Sequence, residues 1–185
     1  MYIGAENIIS PLGKSAQETF ERMRAGESSI KSKDGILIST FSPDQNSLLP
    51  LMIDSIIQSM GLVNKDLLIN KRTLLIISTT KGEINELNTN IQKTYLHYLT
   101  EKLITKFSWV DKGIVISTAC VSGLQSLIVA NDMLNHNYYD NVIICGGDLA
   151  SKFVIEGFTS FYALSNSICK PFDKDRKGLN IGEAV

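Results

Sequence analysis

The chain has 185 residues, 44% of them hydrophobic and 20% charged, which supplies a core for a domain of ordinary size and excludes a disordered chain. Lys and Arg number 18 against 19 Asp and Glu, a net charge of −1, so there is no general electrostatic reason to bind nucleic acid or an anionic membrane. Three cysteines (Cys120, Cys145 and Cys169) form no CxxC pair, their odd number argues against a disulfide framework, and two histidines are too few for a His-rich metal site.

Strand-like and helix-like segments alternate along the chain. Residues 2–9 read as a strand closed by Pro11 and Gly13. Ser15-Ala16-Gln17-Glu18 has capping-box spacing, which predicts a helix to about Ala25 with Gly26 as its stop. Residues 35–40 (GILIST) make a weaker strand. Over residues 47–60, Leu49, Ile53, Ile56, Ile57 and Met60 recur at helical spacing, with Pro50 in the first turn. Residues 72–79 (RTLLIIST) read as a strand covered on both faces. A long helix is predicted for 83–106, a strand for 113–117 and a helix for 120–136. A strand over 141–145, a helix over 151–163 and a strand from 179 complete the series.

Buried strands alternating with helices predict an α/β fold: a mixed, largely parallel sheet with helices on both faces, within one domain spanning 1–185. The opening MYIGAENIIS lacks the basic segment of a signal peptide, and no apolar run reaches the ~20 residues needed to span a bilayer. A soluble, cytoplasmic setting is expected. The chain stops at Gly182-Glu183-Ala184-Val185, inside a predicted strand, so a longer protein is expected too.

Ser117-Thr118-Ala119-Cys120-Val121-Ser122-Gly123 joins a strand to a helix through a very short turn, which places Cys120 in the first helical turn. Unpaired backbone N–H groups and the positive end of the helix dipole lie there, and both stabilise negative charge on a sulfur. The same N–H groups can hold the oxyanion formed when that sulfur attacks an ester or thioester carbonyl. A cysteine at this position also fits the plainer role of a small core hydrophobe. Cys145 ends an apolar strand and Cys169 lies in a loop, and neither has a helix start beside it.

His136 falls at the far end of the Cys120 helix, about 24 Å away at 1.5 Å per residue, and reads as a C-terminal cap. His97, among Tyr95, Leu96 and Tyr98, reads as a partly exposed helix residue. A cysteine hydrolase, which needs a histidine within reach of Cys120, is therefore disfavoured. The charged stretch 170–178 reads as a solvated loop. Asp173, Asp175 and Glu183 have no EF-hand spacing, and the Gly146-Gly147 pair is no dinucleotide fingerprint.

Taken together, four stretches resemble the β-ketoacyl-[acyl-carrier-protein] synthases, the condensing enzymes of fatty acid and polyketide synthesis. They are Ile8-Ile9-Ser10-Pro11-Leu12-Gly13 with Phe20, Met23, Gly26 and Ser28-Ser29-Ile30; the cysteine turn 117–123; Gly146-Gly147-Asp148 with Gly157-Phe158 and Ala163-Leu164-Ser165; and Lys170-Pro171-Phe172-Asp173-Lys174-Asp175-Arg176 through Gly178 and Gly182-Glu183-Ala184. The likeness is to the first half of an enzyme of the elongating type, and it thins over 82–112.

The resemblance implies the N-terminal half of a thiolase-like fold and a homodimer whose contact involves the strand 113–117. It also implies that Cys120 is catalytic, taking an acyl chain from acyl carrier protein before malonyl carrier protein is decarboxylated and its carbanion attacks the thioester. Two family histidines belong to the second half and have no counterpart here. No metal or soluble cofactor is implied. The alternative within the fold is a non-catalytic, carrier-protein-binding or chain-length partner, against which the cysteine at position 120 argues. A half-enzyme is also expected to expose a large apolar face.

Overall fold

The computed structural model describes residues 2–63, 68 and 71–185. Its elements run α1 (Ala16–Arg24), β1 (Lys31–Lys33), β2 (Ile36–Ser39), α2 (Leu48–Gly61), β3 (Thr73–Ser78), α3 (Leu96–Lys106), β4 (Lys112–Ile116), α4 (Ser122–Asn135), β5 (Asn141–Gly146), α5 (Lys152–Ser160) and β6 (Ile181–Gly182). Packing divides them into two compact units: Ser47–Asp148 with the segment ending at Asn7, and Ile8–Asn46 with Leu149–Ala184.

The first unit is built on β3, whose six residues are all buried, as its unbroken apolar run requires. It lies between β4 and β5 and pairs with both in parallel, Ser78 standing opposite Ile116 on one side and Gly146 on the other. Leu74 and Ile76 face α4, where they meet Ala130 with Ile114, Ile116, Val129, Met133, Val142 and Ile144 around them. Strand alternation turns Leu75 and Ile77 to the other face. There Gly113, paired with Leu75, lets α3 sit close: a Cβ on Gly113 would lie 2.2 Å from Thr100 Cγ2. Helices thus cover both faces of a parallel sheet.

Thr100 adds a prediction. Among the described residues its hydroxyl is a buried side-chain oxygen with no hydrogen-bond partner. Thr100→Val removes the unsatisfied group at nearly constant shape and is expected to raise the unfolding free energy by about 1 kcal/mol, read from urea denaturation.

Residues 83–106 are not one helix. Only Leu96–Lys106 is α-helical, preceded by two 3₁₀ turns, Ile84–Glu86 and Ile91–Thr94. The cause is tertiary. The Glu83 side chain leaves its own segment to accept hydrogen bonds from the Ser47 hydroxyl (2.8 Å), Leu48 N–H (3.0 Å) and Leu49 N–H (2.7 Å), so a buried carboxylate closes the N-terminus of α2. Asn90 and Tyr95, both in extended conformation, interrupt the chain again before α3.

In the second unit α1 is capped as expected: Ser15 Oγ accepts from Glu18 N–H at 3.1 Å, and Gly26 follows with φ +80°. The reciprocal bond reaches Lys14 N–H, which donates to Glu18 Oε2 at 2.8 Å. β1, absent from the sequence reading, pairs antiparallel with β2, and β6 pairs parallel on the far side of β2. The predicted strands at either end shrink. Residues 2–9 form none, leaving an isolated Ser10–Gly13 bridge, and the final one is reduced to Ile181–Gly182.

Candidate active site

β4 ends at Ile116, and α4 begins six residues later at Ser122. Between them Ala119–Val121 form a 3₁₀ turn that carries Cys120. The cysteine therefore sits just ahead of the α-helix rather than within its first turn. Ser122 explains the shift: its hydroxyl accepts from Thr118 N–H at 2.8 Å and donates to the Ala119 carbonyl at 2.7 Å, which winds 118–122 tightly. Ala119 adopts φ +50°, a left-handed conformation that costs a non-glycine residue about 1 kcal/mol or more.

Cys120 is exposed. No side chain caps α4, and Cys120 lies two residues ahead of its first residue, at the positive end of the helix dipole, while Val121 N–H and Ser122 N–H are paired with the Thr118 and Ala119 carbonyls. This arrangement suits a sulfur nucleophile and the oxyanion that its attack creates. While Ala130 of α4 packs on the sheet, Val121, Leu124, Leu127 and Ile128 are exposed, Leu124 by 61%. That stripe is an exposed apolar surface beside the Cys120 turn.

The other candidates lie on separate elements. Cys145 is buried in β5, and burial pushes its thiol up to about 12. Cys169 is half-buried in a loop, its N–H donating to Asn180 Oδ1 at 2.9 Å. His136 is the C-cap of α4, with Nδ1 2.8 Å from the Asp132 carbonyl, which fits the capping role. His97 is exposed and stacks on Tyr95. A cavity of about 410 Å³ opens where the sheet strands begin, lined by Arg72, Asp111, Lys112, Met133, Tyr138 and Tyr139. It lies at the opposite strand ends from Cys120.

Two carboxylates carry structure that the sequence did not reveal. Asp148, two residues past β5, accepts from the Thr79 hydroxyl (2.8 Å), Thr80 N–H (3.0 and 3.1 Å) and Lys81 N–H (3.2 Å). In the second unit Glu183 accepts from Ala150 N–H at 2.8 Å and Phe41 N–H at 2.6 Å, so it serves the backbone. The stretch before it is similarly tied. Asn180 bonds the carbonyls of Ser165 and Ser167, and Gly178, at φ +101°, donates its space to a close approach of the chain. A Cβ there would lie 2.7 Å from the Ala163 carbonyl. Gly178→Ala is therefore expected to destabilise the chain by ~2 kcal/mol or more, measured as a lowered urea midpoint.

The family model described as "Beta-ketoacyl synthase, N-terminal domain" matches residues 112–185, which include β4, the Cys120 turn, α4 and β5. "Probable polyketide synthase 10" of Dictyostelium discoideum is 26% identical over 155 residues, 80% of this chain and 6% of that protein. "3-oxoacyl-[acyl-carrier-protein] synthase 2" of Coxiella burnetii is 34% identical over 87 residues, 43% of this chain and 21% of that protein. Among solved structures, a chain of the complex of the ketosynthase ApeO with its chain length factor ApeC from Xenorhabdus doucetiae superposes with TM-score 0.82 at 20% identity, covering 99% of this chain and 55% of that one. A chain of the AntDE:AntF complex, a type II polyketide ketosynthase with its acyl-carrier protein, gives 0.79 at 14% identity, covering 98% and 55%.

The architecture is thus the thiolase-like fold of the ketosynthases. Residues 112–185 match the β-ketoacyl synthase N-terminal domain, and the fold of the chain is that of the ketosynthases. It spans 6% and 21% of the two curated relatives and 55% of the two solved chains.

Proposed function

We propose that residues 1–185 are the N-terminal half of a condensing enzyme and that Cys120 is its acyl acceptor. The observation that carries this reading is the exposed thiol on a tight turn between a parallel strand and the uncapped start of α4. The Cys120 thiolate attacks the carbonyl carbon of an acyl thioester and forms a tetrahedral oxyanion beside the helix N-terminus. Collapse breaks the bond to the departing sulfur, which leaves as a thiol with the proton Cys120 gave up, and the acyl chain remains on Cys120. In the second half-reaction malonyl carrier protein loses CO2, and its carbanion displaces Cys120 from the acyl carbon. That step draws on groups outside these residues, including the family's histidines.

Acyl carrier protein is the proposed donor, by analogy with the neighbour solved in complex with one. The proposed assembly is a homodimer through β4, an edge of its sheet. The exposed stripe on α4 supports a covering second half. The setting proposed is cytoplasmic, and no helix among the described residues is long and apolar enough to cross a membrane. A chain-length partner is the second reading, prompted by the neighbour solved with one, and the exposed Cys120 favours the enzyme.

Competitive labelling with a fluorescent iodoacetamide, followed by peptide mapping, tests the choice. Fast modification of Cys120 with Cys145 and Cys169 spared is expected. Equal, slow modification of all three assigns the chain to the non-catalytic partner.

A further inference from the structure

The strand ends of the first unit point to a second residue with a part in the site. β4, β3 and β5 run parallel, so the Cys120 turn, the loop 79–82 and Asp148 all leave the sheet at its carboxyl edge, where open α/β sheets bind their ligands. The middle strand is approached closely from both sides. A Cβ on Gly123, in the first turn of α4, would lie 4.0 Å from Ser78 Oγ, and one on Gly146 would lie 3.2 Å from Ser78 Cβ. Loop 79–82 begins at the next residue and is therefore the neighbour of the Cys120 turn.

That loop has little freedom. Asp148 holds the Thr79 hydroxyl and the N–H groups of Thr80 and Lys81, while the same Thr79 hydroxyl accepts from Gly82 N–H at 3.1 Å. Glu83, the next residue, is fixed by its three bonds to the start of α2. A single turn of chain is thus anchored at both ends by carboxylates, one of them from the strand two positions away from Cys120 in the sheet.

We infer that Asp148 is a positioning residue, holding loop 79–82 as the wall along which the acyl chain of the incoming thioester lies beside Cys120. The inference rests on the acyl-transfer reading of Cys120. A carboxylate that only stabilised the fold would not affect how Cys120 distinguishes a long acyl donor from a small reagent. A positioning residue does, because a wall displaced by about 1 Å costs up to ~10²-fold in rate.

The test compares octanoyl-pantetheine with iodoacetamide as reagents for Cys120, followed by intact mass, in the wild-type chain, Asp148→Asn and Thr79→Val. The expected result is that both variants lower the ratio of octanoyl to iodoacetamide rates by ~10-fold or more. An unchanged ratio, with or without a lower melting temperature, overturns the inference while leaving Cys120 as acyl acceptor. No octanoylation of the wild type sinks the acyl-transfer reading itself, and this inference with it. Should neither variant fold, amide exchange in the wild type decides: octanoylation of Cys120 is expected to slow exchange at Thr80 and Lys81, and unaltered exchange there overturns the inference.

Discussion

Cys120→Ser is expected to abolish acyl transfer to the chain, with a loss on the order of 10³-fold or more, because the alcohol is a far weaker nucleophile than a thiolate and nothing nearby replaces it. Cys145 is enclosed in β5 and its thiol is pushed up to about 12, so it stays protonated and inaccessible at pH 8. Cys169 has no helix start beside it; its loop is held by the Asn180 side chain. The residual acylation of the variant, followed by intact mass, is therefore expected at background. Since Cys120 is exposed, the substitution leaves the core intact and the urea midpoint close to that of the wild type. Loss of acylation with an unchanged midpoint separates a chemical role from a packing role.

The largest expected loss of stability comes from Glu83→Ala. Removing this buried carboxylate orphans the Ser47 hydroxyl and the N–H groups of Leu48 and Leu49. Three unsatisfied donors at ~1–3 kcal/mol each, with the loss of the anion at a helix N-terminus beside them, give an expected total of ~3–9 kcal/mol. Against a typical stability of about 5–15 kcal/mol that is a large share. Glu83→Gln keeps two acceptor lone pairs at one atom but no charge, and an intermediate loss of ~1–2 kcal/mol is expected. Urea denaturation orders the three proteins. A Glu83→Ala midpoint equal to the wild-type value contradicts the capping role.

Elements whose signal is local were legible in the sequence. β3 announces itself as Leu74-Leu75-Ile76-Ile77 between Thr73 and Ser78, and α1 by Ser15 and Glu18 at cap spacing. β1 was missed because Lys31-Ser32-Lys33 has no apolar alternation, as befits an edge strand guarded by lysines. The signal that finds it is Asp34-Gly35: φ of +52° and +83° make this pair the two-residue turn that sets Lys33 opposite Ile36. The predicted strand over 2–9 has β-rich composition but joins no sheet among the described residues, and pairing rather than propensity makes a strand.

The placement of Cys120 in the candidate site was legible, and the residues that support it were not. Cys120 followed from a strand, a short turn and a helical stripe, and the structure moved it only by the one 3₁₀ turn that Ser122 winds. Glu83 and Asp148 act on partners 34–36 and 67–69 positions away along the chain, distances at which no periodicity or cap spacing survives. Asp148 was visible only as the acid after Gly146-Gly147, and Glu83 only as the start of a helix that does not form.

The measurement that bears most directly on Cys120 as acyl acceptor is peptide mapping after incubation with acyl carrier protein charged with a saturated acyl chain. One acyl mass on the peptide that contains Cys120, and none on those with Cys145 or Cys169, is the result predicted. An unmodified Cys120 peptide from folded protein, or acylation shared equally with Cys169, contradicts it.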